Sequence, residues 1–331
     1  MKAISKYFAM CAIALLGLAN TSCMSDDIES TAACDYSVVL EYKVGGSATE
    51  TRAAVTRAET EVGNEILNEN QINRLDLFVF KKDGSRVKQV TFNSADVKGS
   101  PTTEYKHKEL TSKELTRSDI DGNVLYLVAN LDNWGNINNL NDLKIATINQ
   151  ATTFQHNQKQ SAFVMDAKML EREVTTGKIH LKFQLKRALA KIRLNVQDDK
   201  GNAVAPTAYA CQLVNYAADG SIIEEGICAD NKLTKAAAVA TPNLKVEGKA
   251  VFYSYANSWI DKTKNPYAEE PIDVNKQTYI LLKAKYNGKD YFYKVPVNKR
   301  LYESNDAATT DWTKYEPLYR LDRNTIYDVT A

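Results

Sequence analysis

Neither sign of charge dominates this sequence: 42 lysines and arginines stand against 41 aspartates and glutamates, a formal net charge of +1. No field of one sign exists to steer the chain onto nucleic acid, so nucleic acid is not expected as a partner. Histidine is equally scarce, and His107, His156 and His180 are far apart in the sequence. None has a second metal-type residue at ligand spacing, so neither a metal nor any other cofactor is expected. His180 reads as a packed or half-exposed residue of an alternating strand. There is no HExxH, no G-x-S-x-G, no phosphate-binding loop and no GxGxxG opening a helix, which makes an enzyme, for instance a secreted hydrolase, the weakest reading. The acid pairs Asp198-Asp199, Glu224-Glu225 and Glu269-Glu270 lie beside turn residues. Within a strand, neighbouring carboxylates would point to opposite faces and could not share a substrate. Asp132-Asn133 with Asn136, Asn138 and Asn139 lacks the closing acid that a calcium loop needs.

No apolar run is long enough to span a bilayer, which takes roughly 20 helical residues. The longest candidate, Phe8 to Leu18, follows Lys2 and Lys6 and precedes small and polar residues up to Cys23. This is the layout of a signal peptide over residues 1–23. Asn20-Thr21-Ser22-Cys23 resembles a lipobox, with Asn20 where leucine is usual. Cys23 is the expected lipidation site, and its acyl chains would tether the chain to a membrane at about 0.8 kcal/mol per buried CH₂. Plain secretion is the alternative. Cysteine is too sparse for a disulfide framework: Cys11 leaves with the signal peptide, and Cys34, Cys211 and Cys228 remain. Cys211 and Cys228 bracket an expected hairpin through Asp219-Gly220, and they can pair in an exported compartment or stay as buried thiols.

Helical periodicity is also nearly missing, and Asn138 to Ile148 is the one convincing short helix. What the chain has instead is short alternating or continuous apolar runs separated by turn residues. Tyr36 to Val44 (YSVVLEYKV) is a strand closed by Gly45-Gly46. Ser47 to about Asn70 is polar and reads as a flexible, protease-accessible segment containing Arg52 and Arg57. Further strands are expected over Arg74 to Lys81, Arg86 to Phe92, Val124 to Leu131, Ala208 to Tyr216, Ser221 to Ile227 and Gly248 to Tyr255. Lys178 to Val196 breaks near Arg187 to Ala190 into two strands of different sheets. Tyr279 to Tyr286 and Lys289 to Val297 flank Asn287-Gly288, a hairpin turn whose central residues need positive φ, and Ile280, Leu282 and Ala284 should face inward. Arg323 to Thr330 is the last strand. The expected fold is all-β, two β-sandwich domains in tandem with minor helical decoration. The expected segments are a signal peptide over 1–23, a leading segment over 24–57 with the first strand, an N-terminal sandwich over 58–186 and a C-terminal sandwich over 187–331. Tyrosine is plentiful, with 18 residues, and Tyr253, Tyr255, Tyr279, Tyr286, Tyr291 and Tyr293 cluster late in the chain. Sheet packing accounts for them, a glycan platform being the alternative.

Five segments resemble the fimbrillin family, the FimA-like subunits of type V pili of Bacteroidia. They are Leu75-Asp76-Leu77-Phe78-Val79-Phe80 with Asp83-Gly84, Tyr126-Leu127-Val128-Ala129-Asn130-Leu131, Arg187-Ala188-Leu189-Ala190-Lys191-Ile192, Val251-Phe252-Tyr253-Ser254-Tyr255-Ala256-Asn257-Ser258 and Arg323-Asn324-Thr325-Ile326-Tyr327-Asp328-Val329. The resemblance implies two transthyretin-like β-sandwich domains behind a propeptide over 24–57, in a pilin that contributes to adhesion and biofilm, exported as an outer-membrane lipoprotein and cut by an Arg-specific maturation protease at Arg52 or Arg57. The cut removes the first strand, with Tyr36, Val38, Leu40, Tyr42 and Val44. The opened groove is then filled by a strand from the C-terminal end of another pilin subunit, by donor-strand exchange into an open fimbrium. The sequence stops at Ala331, directly after the terminal strand with Ile326, Tyr327 and Val329, where stalk subunits usually carry a further tail. A pilus anchor or tip subunit therefore stands beside the stalk reading. A monomeric surface lipoprotein binding glycan or host protein is a further alternative.

Overall fold

The computed structural model describes residues 36–51, 55–61, 63–132, 135–148, 155–226, 233–235, 238–261, 272–298 and 319–331. The signal peptide, Cys23, Cys34, Arg52, Cys228 and Glu269-Glu270 lie outside the described residues.

The chain enters as β1 (Ser37–Val44), crosses Gly45-Gly46 into β2 (Ser47–Thr51) and returns as β3 (Val55–Glu61). There follow β4 (Leu75–Phe80), β5 (Arg86–Phe92), β6 (Lys106–Leu110), β7 (Val124–Ala129), β8 (Thr147–Ile148), β9 (Met165–Lys168), β10 (Glu171–Thr175) and β11 (Lys178–Arg187). After Ala188 come β12 (Leu189–Asn195), β13 (Ala210–Ala217), β14 (Gly220–Ser221), β15 (Leu233–Lys235), β16 (Lys245–Val246) and β17 (Lys249–Tyr255). The chain ends with β18 (Asn257–Ser258), β19 (Tyr279–Tyr286), β20 (Lys289–Pro296), β21 (Arg320–Leu321) and β22 (Thr325–Thr330). Among the described residues helix is confined to single turns and to Leu140–Ile145, which starts at a capping box: the Asn139 side chain accepts from Asp142 N–H and Asp142 reaches back.

Two large curled sheets form two β-sandwich-like domains. The first runs β5-β4-β7-β9-β11-β1-β6, with β10 along the outer half of β11. The second runs β20-β19-β13-β17-β12-β22-β2-β3, with β15 on β13 and β16 on β17. Sequence pattern explains the assignment. All six residues of β4 (LDLFVF) are buried, as a strand covered on both faces requires, whereas β11 alternates strictly between buried and half-exposed or exposed positions. The β19–β20 turn places Asn287 at φ 48° and Gly288 at φ 77°, the conformation that an Asn-Gly pair favours.

Three local expectations are corrected. Ser47 to Asn70 is not simply a polar tether: Ser47–Thr51 and Val55–Glu61 form a hairpin on the edge of the second sheet, because β2 finds a free edge on β22. The segment expected as strand Ser221 to Ile227 holds only the two-residue β14, which pairs with β8 rather than folding back on β13. The expected hairpin through Asp219-Gly220 is thereby replaced by an excursion toward the first half of the chain. β13 instead receives β15 from beyond it.

Candidate functional site

β1 is an interior strand of the first sheet. It pairs in parallel with β11, from Ser37↔Lys178 to Val44↔Leu185, and antiparallel with β6, from Val38↔Leu110 to Tyr42↔Lys106. Of the five residues expected on the removable strand, Val38, Leu40, Tyr42 and Val44 lie in the core at 2% exposure or less, and Tyr36 immediately precedes the strand. Across the ladder they meet Ile179, Leu181, Phe183 and Leu185, all fully buried. Each such side chain contributes about 1.5–3 kcal/mol by leaving water. Tyr42 donates to Val97 O at 3.4 Å, and burial, with Asp96 nearby, pushes its phenol up to about 12.

The other face of β1 carries Glu41, whose side chain is 7% exposed. Two of the three histidines converge on it: His180 Nδ1 from β11 stands 2.6 Å from Glu41 Oε1, and His107 Nδ1 from β6 stands 3.1 Å from the same oxygen. Pairing across β6 sets His107 directly opposite Glu41, while Val39 is opposite His180. This cluster escaped the sequence, where the three residues share no motif.

The passage from β1 to β2 is clamped by Arg187, the last residue of β11. Its guanidinium donates to Glu69 O at 2.9 Å, Gly45 O at 3.2 Å, Ser47 Oγ at 3.0 Å, Asn324 Oδ1 at 3.1 Å and Asn70 Oδ1. Asn324, at φ 54° just before β22, returns a bond from its amide to Gly46 O at 2.8 Å. Glu69 completes the junction by pairing with Lys191 Nζ at 2.9 Å and accepting from the Tyr253 hydroxyl at 2.6 Å. Its buried carboxylate joins desolvation in raising the Tyr253 phenol well above its ordinary value, desolvation being the larger cause. The segment Arg187 to Ile192 was legible as a family feature, but not as the clamp on the first strand.

Arg57 lies on β3, the edge strand of the second sheet, and Arg52 lies outside the described residues. β22, with Ile326, Tyr327 and Val329 at 5% exposure or less, lies between β12 and β2 and is parallel to both. Cys211 is a buried free thiol pushed up to about 12 by desolvation. Tyr253 and Tyr255 are core residues, whereas Tyr291, Phe292 and Tyr293 are exposed on the edge strand β20. Among the described residues no group of histidine, cysteine and carboxylate side chains is arranged to hold a metal.

The sequence model described as major fimbrial subunit protein (FimA) matches residues 37–208, more than half of the chain. The chain belongs to that family. Its fold is similar to that of the tip fimbrial protein Mfa3 of Porphyromonas gingivalis, solved with a C-terminal truncation, at 15% identity and a TM-score of 0.50, covering 89% of this chain and 95% of the other. A candidate cell-adhesion protein of Parabacteroides distasonis is similar at 12% identity and a TM-score of 0.52, covering 89% and 88%. At such identities the likeness speaks for the fold. No curated protein matches the chain.

Proposed function

We propose that this fimbrial subunit is exported to the cell surface as an outer-membrane lipoprotein acylated at Cys23. An Arg-specific protease then cuts it at Arg52 or Arg57, and it joins other pilin subunits by strand exchange. The observation that carries this reading is the placement of β1: an interior strand with both edges bonded and four fully packed side chains, joined to the elements after it through a segment that contains both arginines. A cut there severs the piece that carries β1 and β2 from the elements that follow β3. Withdrawal of the strand then bares two rows of backbone N–H and C=O groups beside an apolar groove, a state that favours refilling by another extended chain. The same cut also frees β2, so β22 gains an open edge. The donor in this reading is the C-terminal end of a neighbouring subunit, and addition head to tail builds an open filament.

The test is mass analysis of the protein taken from its own cell surface. A start at Ala53 or Ala58 is expected, and the Arg52→Ala, Arg57→Ala double variant should keep residues 36–51 attached and form no filaments. An acylated Cys23 still joined to β1 in assembled fimbriae would overturn the maturation step.

A further inference from the structure

We propose that the groove between β6 and β11 selects an incoming strand bearing a carboxylate on its outer face in the place of Glu41, with His107 and His180 as the recognising pair. This rests on the strand-exchange reading and adds the chemistry of the partner to it.

The resident strand shows what the groove accepts. Its inner face is apolar at Val38, Leu40, Tyr42 and Val44, a requirement that many strands meet. The outer face is more demanding, since Glu41 is the one charged residue of β1 that is buried. Both Nδ1 atoms lie within 3.1 Å of Oε1, where an imidazole in the Nδ1–H tautomer donates to a carboxylate. Lys43, by contrast, lies over the Tyr105 ring at 4.8 Å, a half-buried contact that other side chains can replace. When β1 leaves, two imidazoles on separate strands lose a common acceptor. An incoming strand with a neutral or basic residue at that point leaves them without their charged acceptor. The pair also sets register. A slip of one residue turns the acid toward the core, and a slip of two moves it about 7 Å along the groove. The occupant so defined is an extended segment of another polypeptide, with inward apolar residues on both sides of an outward carboxylate.

The test uses the full chain cut with an Arg-specific protease and challenged with two synthetic peptides: residues 36–45 as they stand, and the same peptide with Glu41→Gln. Displacement of the resident fragment is followed by native mass spectrometry. The glutamate peptide is expected to displace it at about tenfold lower concentration, the difference between a charge-assisted and a neutral hydrogen bond. In the His107→Ala, His180→Ala protein the two peptides should become equivalent, whereas His107→Gln, His180→Gln, which keeps a donor at each place, should restore part of the preference. Equal displacement by both peptides from the unsubstituted protein would overturn the selection and leave strand exchange standing. If neither peptide displaces the fragment, strand exchange fails and the selection with it.

Discussion

His156 shows what burial does to a single titrating group. Its ring packs against Tyr216 at 4.3 Å and Phe252 at 6.1 Å, and desolvation lowers its pKa from 6.5 to about 4. Between those values the unfolded chain binds a proton that the folded chain refuses, so stability is complete above about pH 6.5 and is lost as pH falls toward 4. The loss is about 3 kcal/mol across that window. Urea unfolding of the His156→Phe variant from pH 7 to pH 4.5 should show that much less acid destabilisation than the unsubstituted protein; identical slopes would remove His156 as the cause. Arg187 makes the opposite case, a buried charge kept for its partners. Replacing it by methionine leaves Gly45 O, Glu69 O and the Asn70 and Asn324 side chains without their shared donor, and unfolding should become easier by about 3 kcal/mol. A denaturant midpoint within error of the original would show that the junction holds without the guanidinium. Residues of this kind were the least legible in sequence. Glu41, His107 and His180 meet only because β6 and β11 take places on opposite sides of β1, and no spacing rule connects positions that pairing alone brings together.

Single elements were far easier to read. The runs that became β1, β4, β5, β7, β17, β19 and β20 carry strong alternation or continuous apolar stretches, and their ends fall within a few residues of the nearest turn signal. The Asn287-Gly288 turn was legible for a local reason, positive φ at two successive residues, and it supports a local prediction. A Cβ at Gly288 would meet nothing within 4 Å, so a substitution acts through the backbone alone. Gly288→Val should lower stability by about 1–2 kcal/mol, measured by thermal unfolding, while Gly288→Asn should cost less. Equal effects of the two substitutions would show that φ is not the determinant. Failures of the reading occurred where an element is held by something distant. β2 and β3 are polar, with threonine and glutamate at most positions, and carry no core pattern. Their strand geometry comes from the exposed edge of β22, which the sequence of the segment itself does not reveal. β14 is two residues long and exists through its pairing with β8.

At the scale of the molecule, the chain passes directly from a strand of the first sheet to a strand of the second at two places, one early in the sequence and one near its middle. β1 belongs to the first sheet and β2 to the second, while β11 passes directly into β12 through Ala188. The alternation over Lys178 to Asn195 made the second passage legible in sequence. The first was hidden because Gly45-Gly46 reads equally well as the end of a strand or as a crossing. This arrangement makes the first sheet dependent on a segment that one cut detaches. Folding of the intact chain is unimolecular, since β1 is covalently present in its own groove. After a cut between β2 and the rest of β3 the same native contacts are bimolecular, and stability follows mass action. The cut protein should therefore run as one species under native conditions and as two fragments under denaturing ones. Its Tm should fall by about 2–4 °C for each tenfold dilution, since tenfold in concentration is about 1.4 kcal/mol of association free energy. The intact protein should show no such dependence. Excess peptide of residues 36–45 should raise the Tm of the diluted cut protein toward its undiluted value. A cut protein whose Tm is unchanged from that of the intact chain at every dilution would mean that β1 contributes little to holding the first sheet together, and the groove would then have no free energy with which to capture a strand.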